Sequence, residues 1–315
     1  MRILIELPTW LGDAVMVTPA IENLVNYYDE PEVILIGSLI SIEALKNHPR
    51  ISNTYVLRKK YTSLYKISKK LGQFDIFFSF RSSFRSKFIK LLISSKKKFQ
   101  FDRNRYQNRH QVEKYNDFVN DNLNTNFDPG RLIIHPSLKP KDNNSKPIIG
   151  INPGASYGDS KRWHPEKFAK VATELSNEFD ILIFGGHNEK EIAGDIEKAL
   201  IEKGVINYQN LVAQTSVEEL IYHISTLDMF VTGDSGPMHI AAAFQVPTVA
   251  IFGPTKDKET SQWMNHKNTI VKKGLDCQPC MKRNCPLKHN NCMKLITAEE
   301  VLNAVKSLNQ SPLKA

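Results

Sequence analysis

Short, almost wholly apolar segments recur along this chain, and each is followed by a stretch with the 3.6-residue periodicity of an amphipathic helix. In the first half the apolar runs are 3–7, 32–36, 54–57 and 75–80, alternating with helical patterns at 13–26, 41–47, 61–71 and 84–94. In the second half, runs at 147–151, 180–184, 229–232 and 248–252 alternate with helical patterns at 165–177, 188–202, 216–225 and 237–244. A last amphipathic stretch covers 297–308, with Thr297 or Ala298 near its cap. A strand that is apolar throughout must be covered on both faces, as helices above and below a parallel sheet do. Two such series predict two doubly wound α/β domains, a number that 315 residues accommodate. The join is expected within 136–146, PSLKPKDNNSK, which has no apolar periodicity. The expected domains are therefore 1–140 and 141–315, with the last helix able to pack back on the first domain.

Composition narrows the class. Hydrophobic residues make up 41% and charged residues 24%, which excludes a disordered, collagenous or coiled-coil chain. No run approaches the ~18 consecutive apolar residues of a membrane span. The apolar start is interrupted by Glu6 and Asp13 and has no small-residue cleavage site, so it reads as a first buried strand rather than a signal peptide. Four cysteines without a secretion signal point to a reducing cytosol. The net charge of +9 is concentrated: between Arg81 and Lys114, eleven Lys/Arg face only Asp102 and Glu113. Such a segment attracts nucleic acid, an acidic membrane surface or a phosphorylated substrate, or is a solvated helix face.

In open α/β sheets ligands sit beyond the carboxyl ends of the strands, and the loops there hold the candidate chemistry. After the first strand, Gly12-Asp13 opens a helix. Asp13 suits a helix cap, or a carboxylate able to take a proton from an attacking hydroxyl. The loop 152–163 combines small residues and hydroxyls with Lys161-Arg162, a plausible anion cradle that lacks the P-loop pattern. Gly185-Gly186 precede Glu189, which suits the first turn of a helix. The turn Gly233-Asp234-Ser235-Gly236-Pro237 leads into a helix whose free N–H groups form an anion site. Its Pro237 departs from the GxSxG nucleophile elbow, which leaves a Ser235 hydrolase as a minor alternative. Finally, Cys277, Cys280, Cys285 and Cys292 lie close enough to bind Zn²⁺ tetrahedrally, with His289 as an extra ligand, or form a reduced thiol loop.

Together these strings resemble the ADP-heptose:lipopolysaccharide heptosyltransferases, glycosyltransferase family 9, over nearly the full length. The resemblance rests on PTWLGDAVMVTPAI, GINPGASYGDSKRWHPEKFAKVA, FGGHNEKE and, above all, NLVAQTSVEELIYHISTLDMFVTGDSGPMHIAAAFQVPTVAIFGPT. It implies the GT-B architecture, two Rossmann-like domains facing across a cleft. The opening, the DSGPMH form and the CQPCMKRNCPLKHNNCM loop are most similar to type II members, which add the second inner-core heptose. Type I, which adds heptose to Kdo, is the near alternative.

The resemblance implies a role for each matching position. Asp13 is the catalytic base, Lys161 contacts the donor diphosphate, and Ser156 and Tyr157 stand where Thr-Thr often binds phosphate. Tyr157 departs from that pattern. Glu189 holds the adenosine ribose and Thr215 lines the adenine pocket. Asp234 binds heptose hydroxyls, with Ser235, Gly236 and His239 on the phosphate-binding turn and helix. The reaction implied is an inverting transfer from ADP-heptose to a Kdo-lipid A core, with no cofactor. Lys96, Lys97, Lys98 and Arg103 are expected to hold the anionic acceptor and touch the cytoplasmic face of the inner membrane. A nucleic-acid-binding protein is the competing class raised by the charge, but RNP, helix-turn-helix and zinc-finger patterns are lacking. A GT-B nucleotide-sugar epimerase is more distant still.

Overall fold

The computed structural model describes residues 1–137, 146–154 and 158–310. It divides into two compact units, Met1–Ser137 and Leu138–Ala315. Most of the expected join, 138–145, lies outside the described residues.

The first unit runs β1 (Arg2–Glu6), α1 (Leu11–Met16), α2 (Thr18–Tyr27), β2 (Glu32–Gly37), α3 (Leu39–Leu45), β3 (Ile51–Val56), α4 (Tyr61–Leu71), β4 (Gln73–Ser79), α5 (Phe84–Leu92), β5 (Ser94–Gln100) and α6 (Gln111–Leu123). Its sheet is parallel throughout, in the order β3-β2-β1-β4-β5. Ile3, Leu4 and Ile5 are wholly buried in the central strand, each contributing roughly 1.5–3 kcal/mol. The chain builds outward from β1 to β3, then crosses to β4 on the other side of β1. That reversal opens a crevice beyond the carboxyl ends of β1 and β4.

The second unit runs β6 (Ile148–Asn152), a 3₁₀ turn (Asp159–Lys161), α7 (Pro165–Leu175), β7 (Asp180–Ile183), a second 3₁₀ turn (His187–Glu189), α8 (Lys190–Glu202), β8 (Tyr208–Asn210), α9 (Val217–Ser225), β9 (Met229–Gly233), α10 (Gly236–Ala243), β10 (Thr248–Ile251), α11 (Asp257–Thr260), β11 (Asn268–Val271), α12 (Asn291–Lys294) and α13 (Ala298–Gln310). The parallel order β11-β10-β9-β6-β7-β8 reverses between β6 and β9. The last helix, α13, packs on α7, β10 and β11 of its own unit. A reciprocal capping pair starts it: Thr297 N–H donates to Glu300 Oε2 at 2.8 Å and Glu300 N–H to Thr297 Oγ1 at 3.2 Å.

The expected helix over 13–26 is two helices, broken at Val17. Pro19 has no N–H to offer the Val15 carbonyl, which accepts the Thr18 hydroxyl at 2.8 Å instead. The sequence reading also missed β5, β8 and β11, all at sheet edges. An edge strand is half-exposed and needs no continuous apolar run; β5 is SSKKKFQ.

Candidate functional site

At the β6–β9 reversal the loops after both strands meet. Asn152 ends β6, and its amide Nδ2 donates to Thr232 Oγ1 at 3.0 Å and to Ser235 Oγ at 2.9 Å. Ser235 occupies the N-cap of α10, yet its side chain makes no capping bond; its hydroxyl is engaged by Asn152 and by Thr232, at 3.1 Å. Asp234 is buried, and its Oδ2 accepts from Lys161 Nζ at 2.5 Å and from Thr255 Oγ1 at 2.6 Å. Lys161 Nζ also donates to the Asp234 carbonyl at 3.1 Å. An ammonium thus sits beside the start of an eight-residue helix, two fixed sources of positive potential.

The neighbouring loop brings in Glu189. Its Oε2 accepts the Gly186 N–H at 2.8 Å, so the carboxylate folds back on the Gly-Gly turn rather than merely occupying a first helical turn. Its Oε1 lies 3.7 Å from Arg162 Nη2. Among the described residues this buried oxygen, like the buried Arg162 Nε, has no hydrogen-bond partner. Such groups are costly to leave unbonded and suit a ligand with hydroxyls or phosphate. A Cβ on Gly154 would fall 2.5 Å from Glu189 Cγ, so glycine is what lets this acid reach the loop. Thr215 follows Ala213, whose N–H donates to the Gly185 carbonyl at 2.9 Å. The 211–215 stretch therefore runs beside the Gly-Gly turn.

In the first unit, Asp13 is the third residue of α1, and Trp10 occupies the N-cap without a side-chain capping bond. Asp13 is therefore not the N-cap residue itself but the acid of the first turn, where its charge suits the helix dipole. Its Oδ1 accepts the Tyr115 hydroxyl at 3.4 Å. Tyr115 is buried, and burial, then the Asp13 charge, push its pKa well above the ordinary value against the pull of Arg103. The phenol is therefore a stable donor to the carboxylate.

A comparison with protein families decides what these features belong to. The profile of glycosyltransferase family 9 (heptosyltransferase) matches residues 65–291. The chain belongs to glycosyltransferase family 9. It is 41% identical to lipooligosaccharide heptosyltransferase 2 of Campylobacter jejuni, with 98% of each chain covered. To lipopolysaccharide heptosyltransferase 1 of Campylobacter coli it is 24% identical, covering 98% of this chain and 99% of that one. The structure of E. coli ADP-heptose LPS heptosyltransferase II superposes with a TM-score of 0.78 at 21% identity, covering 98% of both chains. This family 9 enzyme is a glycosyltransferase with the expected GT-B fold class.

Of the expected donor residues, Lys161, Asp234, Ser235 and Gly236 converge at the β6–β9 reversal, while Glu189 and Thr215 belong to the loops after β7 and β8. His239 is buried in α10. Ser156 and Tyr157 lie outside the described residues. The structure adds Thr255, and it gives Asn152 and Arg162 of the expected anion loop their partners, Ser235 and Glu189. Tyr115 was also missed, although Val112, Tyr115, Val119 and Leu123 recur at helical spacing and all face the interior; that periodicity was the signal that could have found α6.

The basic segment is less uniform than its charge suggests. Arg81 pairs with buried Glu6, Lys96 with Asp75, Arg105 with Asp121, and Arg109 with Glu113 and Asp117. Lys114 is buried. Lys96, Lys97 and Lys98 lie on edge strand β5, where Lys98 Nζ donates to the Lys90 carbonyl at 3.0 Å, and the Arg103 charge acts on Tyr115. No helix among the described residues is long and apolar enough to cross a membrane.

Proposed function

We propose that this glycosyltransferase moves heptose from ADP-heptose to the first heptose of a Kdo-lipid A core, the type II reaction. The observation that carries the donor assignment is the Lys161–Asp234–Thr255 cluster at the start of α10, beside the Asn152-held Ser235 hydroxyl. The type II assignment is supported by the 41% identity to a heptosyltransferase 2, against 24% to a heptosyltransferase 1 at similar coverage.

The chemistry follows from the groups in place. The acceptor hydroxyl oxygen attacks the anomeric carbon, forming the new glycosidic bond as the bond to the ADP oxygen breaks. The hydroxyl proton passes to the Asp13 carboxylate, which Tyr115 holds by its hydroxyl. ADP departs with the bonding pair on the face opposite attack, so configuration inverts. Lys161 and the N-terminus of α10 stabilise the charge that builds on the diphosphate, the service a cofactor metal gives elsewhere. Glu189 Oε1 is placed to accept from the adenosine ribose, and the loop at Thr215 to border the base. Lys96, Lys97, Lys98 and Arg103 engage the phosphates and acidic sugars of the acceptor, at the cytoplasmic face of the inner membrane.

A donor and acceptor screen tests the reading. ADP-heptose, UDP-sugars and GDP-sugars are offered with lipid A cores carrying Kdo alone or Kdo plus one heptose. Product mass should rise by one heptose only with ADP-heptose and the heptose-bearing core. Equal transfer to the core lacking heptose would reassign the enzyme to type I.

A further inference from the structure

Cys277, Cys280, Cys285 and Cys292 are all free thiols, and all four line one small cavity of about 20 Å³. That is room for a single water-sized body. Cys285 Sγ accepts the Asn290 N–H at 3.4 Å, which fixes that sulfur at the cavity wall. His289 Nδ1 is already engaged, accepting the Asn291 N–H at 3.0 Å. The donor set is four sulfurs, which selects a thiophilic tetrahedral ion.

The same loop grips both donor-site loops of its unit. Ser160, next to Lys161, donates its N–H to the Arg283 carbonyl at 3.2 Å and its hydroxyl to the Lys282 carbonyl at 2.6 Å. A Cβ on Gly158 would lie 2.5 Å from the same Arg283 oxygen, so the loops are in close contact. Met281 N–H donates to the Pro254 carbonyl at 2.8 Å and Gln278 Nε2 to the Gly253 carbonyl at 2.6 Å. Pro254 precedes Thr255, the residue that holds Asp234.

We propose that the four thiols bind one Zn²⁺ or Fe²⁺ ion, and that the ion-bound loop is a clamp positioning Lys161 and Thr255 for the donor diphosphate. The clamp rests on the donor assignment above; the metal site does not. Among the described residues the group of three ligand atoms within 4.8 Å of one another is Glu22, His48 and His135, so the thiols stand wider than that. Tetrahedral ligands at a Zn–S distance of ~2.3 Å stand about 3.8 Å apart, so the ion draws the loop inward. The Glu22 group is not itself competent, because His48 Nδ1 accepts the Arg50 N–H and its Nε2 faces Glu22 at 2.5 Å as the donor.

Elemental analysis of the purified full chain should find about one zinc or iron per molecule, falling below about a tenth in Cys280→Ser/Cys285→Ser. Because that variant can fail to fold, the wild-type chain is also stripped with a mercurial and chelator, reduced, and titrated with Co²⁺. A thiolate-to-cobalt charge-transfer band and tetrahedral visible bands are expected, and Zn²⁺ should abolish them. Calorimetry with ADP should show binding weakened about tenfold in the stripped protein and restored by Zn²⁺, the usual scale for a supporting shell. A chain that carries neither metal and gives no cobalt band overturns the site. Unchanged ADP affinity after stripping overturns the clamp, and a metal-loaded chain that binds no ADP overturns the donor assignment instead.

Discussion

The Lys161 ammonium is anchored twice by one residue, 2.5 Å from Asp234 Oδ2 and 3.1 Å from the Asp234 carbonyl oxygen. Both side chains are nearly buried, at 11% and 7% exposure, so solvent screens the pair little. Lys161→Met should therefore act twice. It removes the cation that meets the leaving diphosphate, lowering kcat/KM by at least ~10²-fold. It also strands the Asp234 charge, costing about 3–5 kcal/mol of stability. Adding Asp234→Leu should return much of the melting temperature while activity stays lost, as thermal scans and initial rates on the double variant would reveal.

Asp13→Asn should lower kcat by at least ~10²-fold, the ordinary reach of general-base catalysis. ADP affinity should stay near wild type, since the amide keeps an oxygen in place to accept the Tyr115 hydroxyl. Near-normal turnover would remove Asp13 from the mechanism.

Tyr115→Phe tests positioning rather than chemistry. Losing one hydrogen bond to a charged acceptor costs about 1.5–3 kcal/mol, so kcat should drop by roughly one to two decades while donor KM holds. Rates measured across donor concentration separate the two.

Reversing Lys96, Lys97 and Lys98 to Glu should raise the acceptor KM far more than the donor KM. Lys96 is the weakest contributor, because Asp75 already pairs with it. Equal effects on both constants would assign the lysines to something other than the acceptor.

Glu6 gives a pH signature. Burial raises its pKa above 4.5, although hydrogen bonds from Ser79 and Ser86 and the charges of Arg81 and Arg85 pull it down. A carboxyl raised in the folded state holds more protons there than in the unfolded chain. The contribution of Glu6 to stability is then greatest below pH 4.5 and is lost as pH rises through the folded value, at up to about 1.4 kcal/mol per pH unit. Glu6→Gln should flatten that fall in urea melts taken from acid to neutral pH.

The sequence carried the interior well and the periphery poorly. Strands buried on both faces, such as β1 and β9, announce themselves as apolar runs, whereas β5, β8 and β11 satisfy solvent on one side and read as loop. At the site, Lys161, Asp234 and Glu189 were visible because they follow strands. Tyr115 reaches Asp13 from more than one hundred residues away, a pairing that no local pattern encodes. Part of the charged segment is balanced by residues that no local count includes: Glu6, Asp75, Asp117 and Asp121 lie outside or beyond the run that they neutralise.

The position of Lys96, Lys97 and Lys98 on β5 has a second consequence. Among the described residues no strand pairs with the far side of β5, and an uncovered strand edge is the template on which a foreign chain adds and aggregates. Three consecutive ammonium groups repel such a visitor. Swapping them for valine would leave a sticky ladder, so solubility as well as acceptor capture is lost; glutamate keeps the guard while changing its sign.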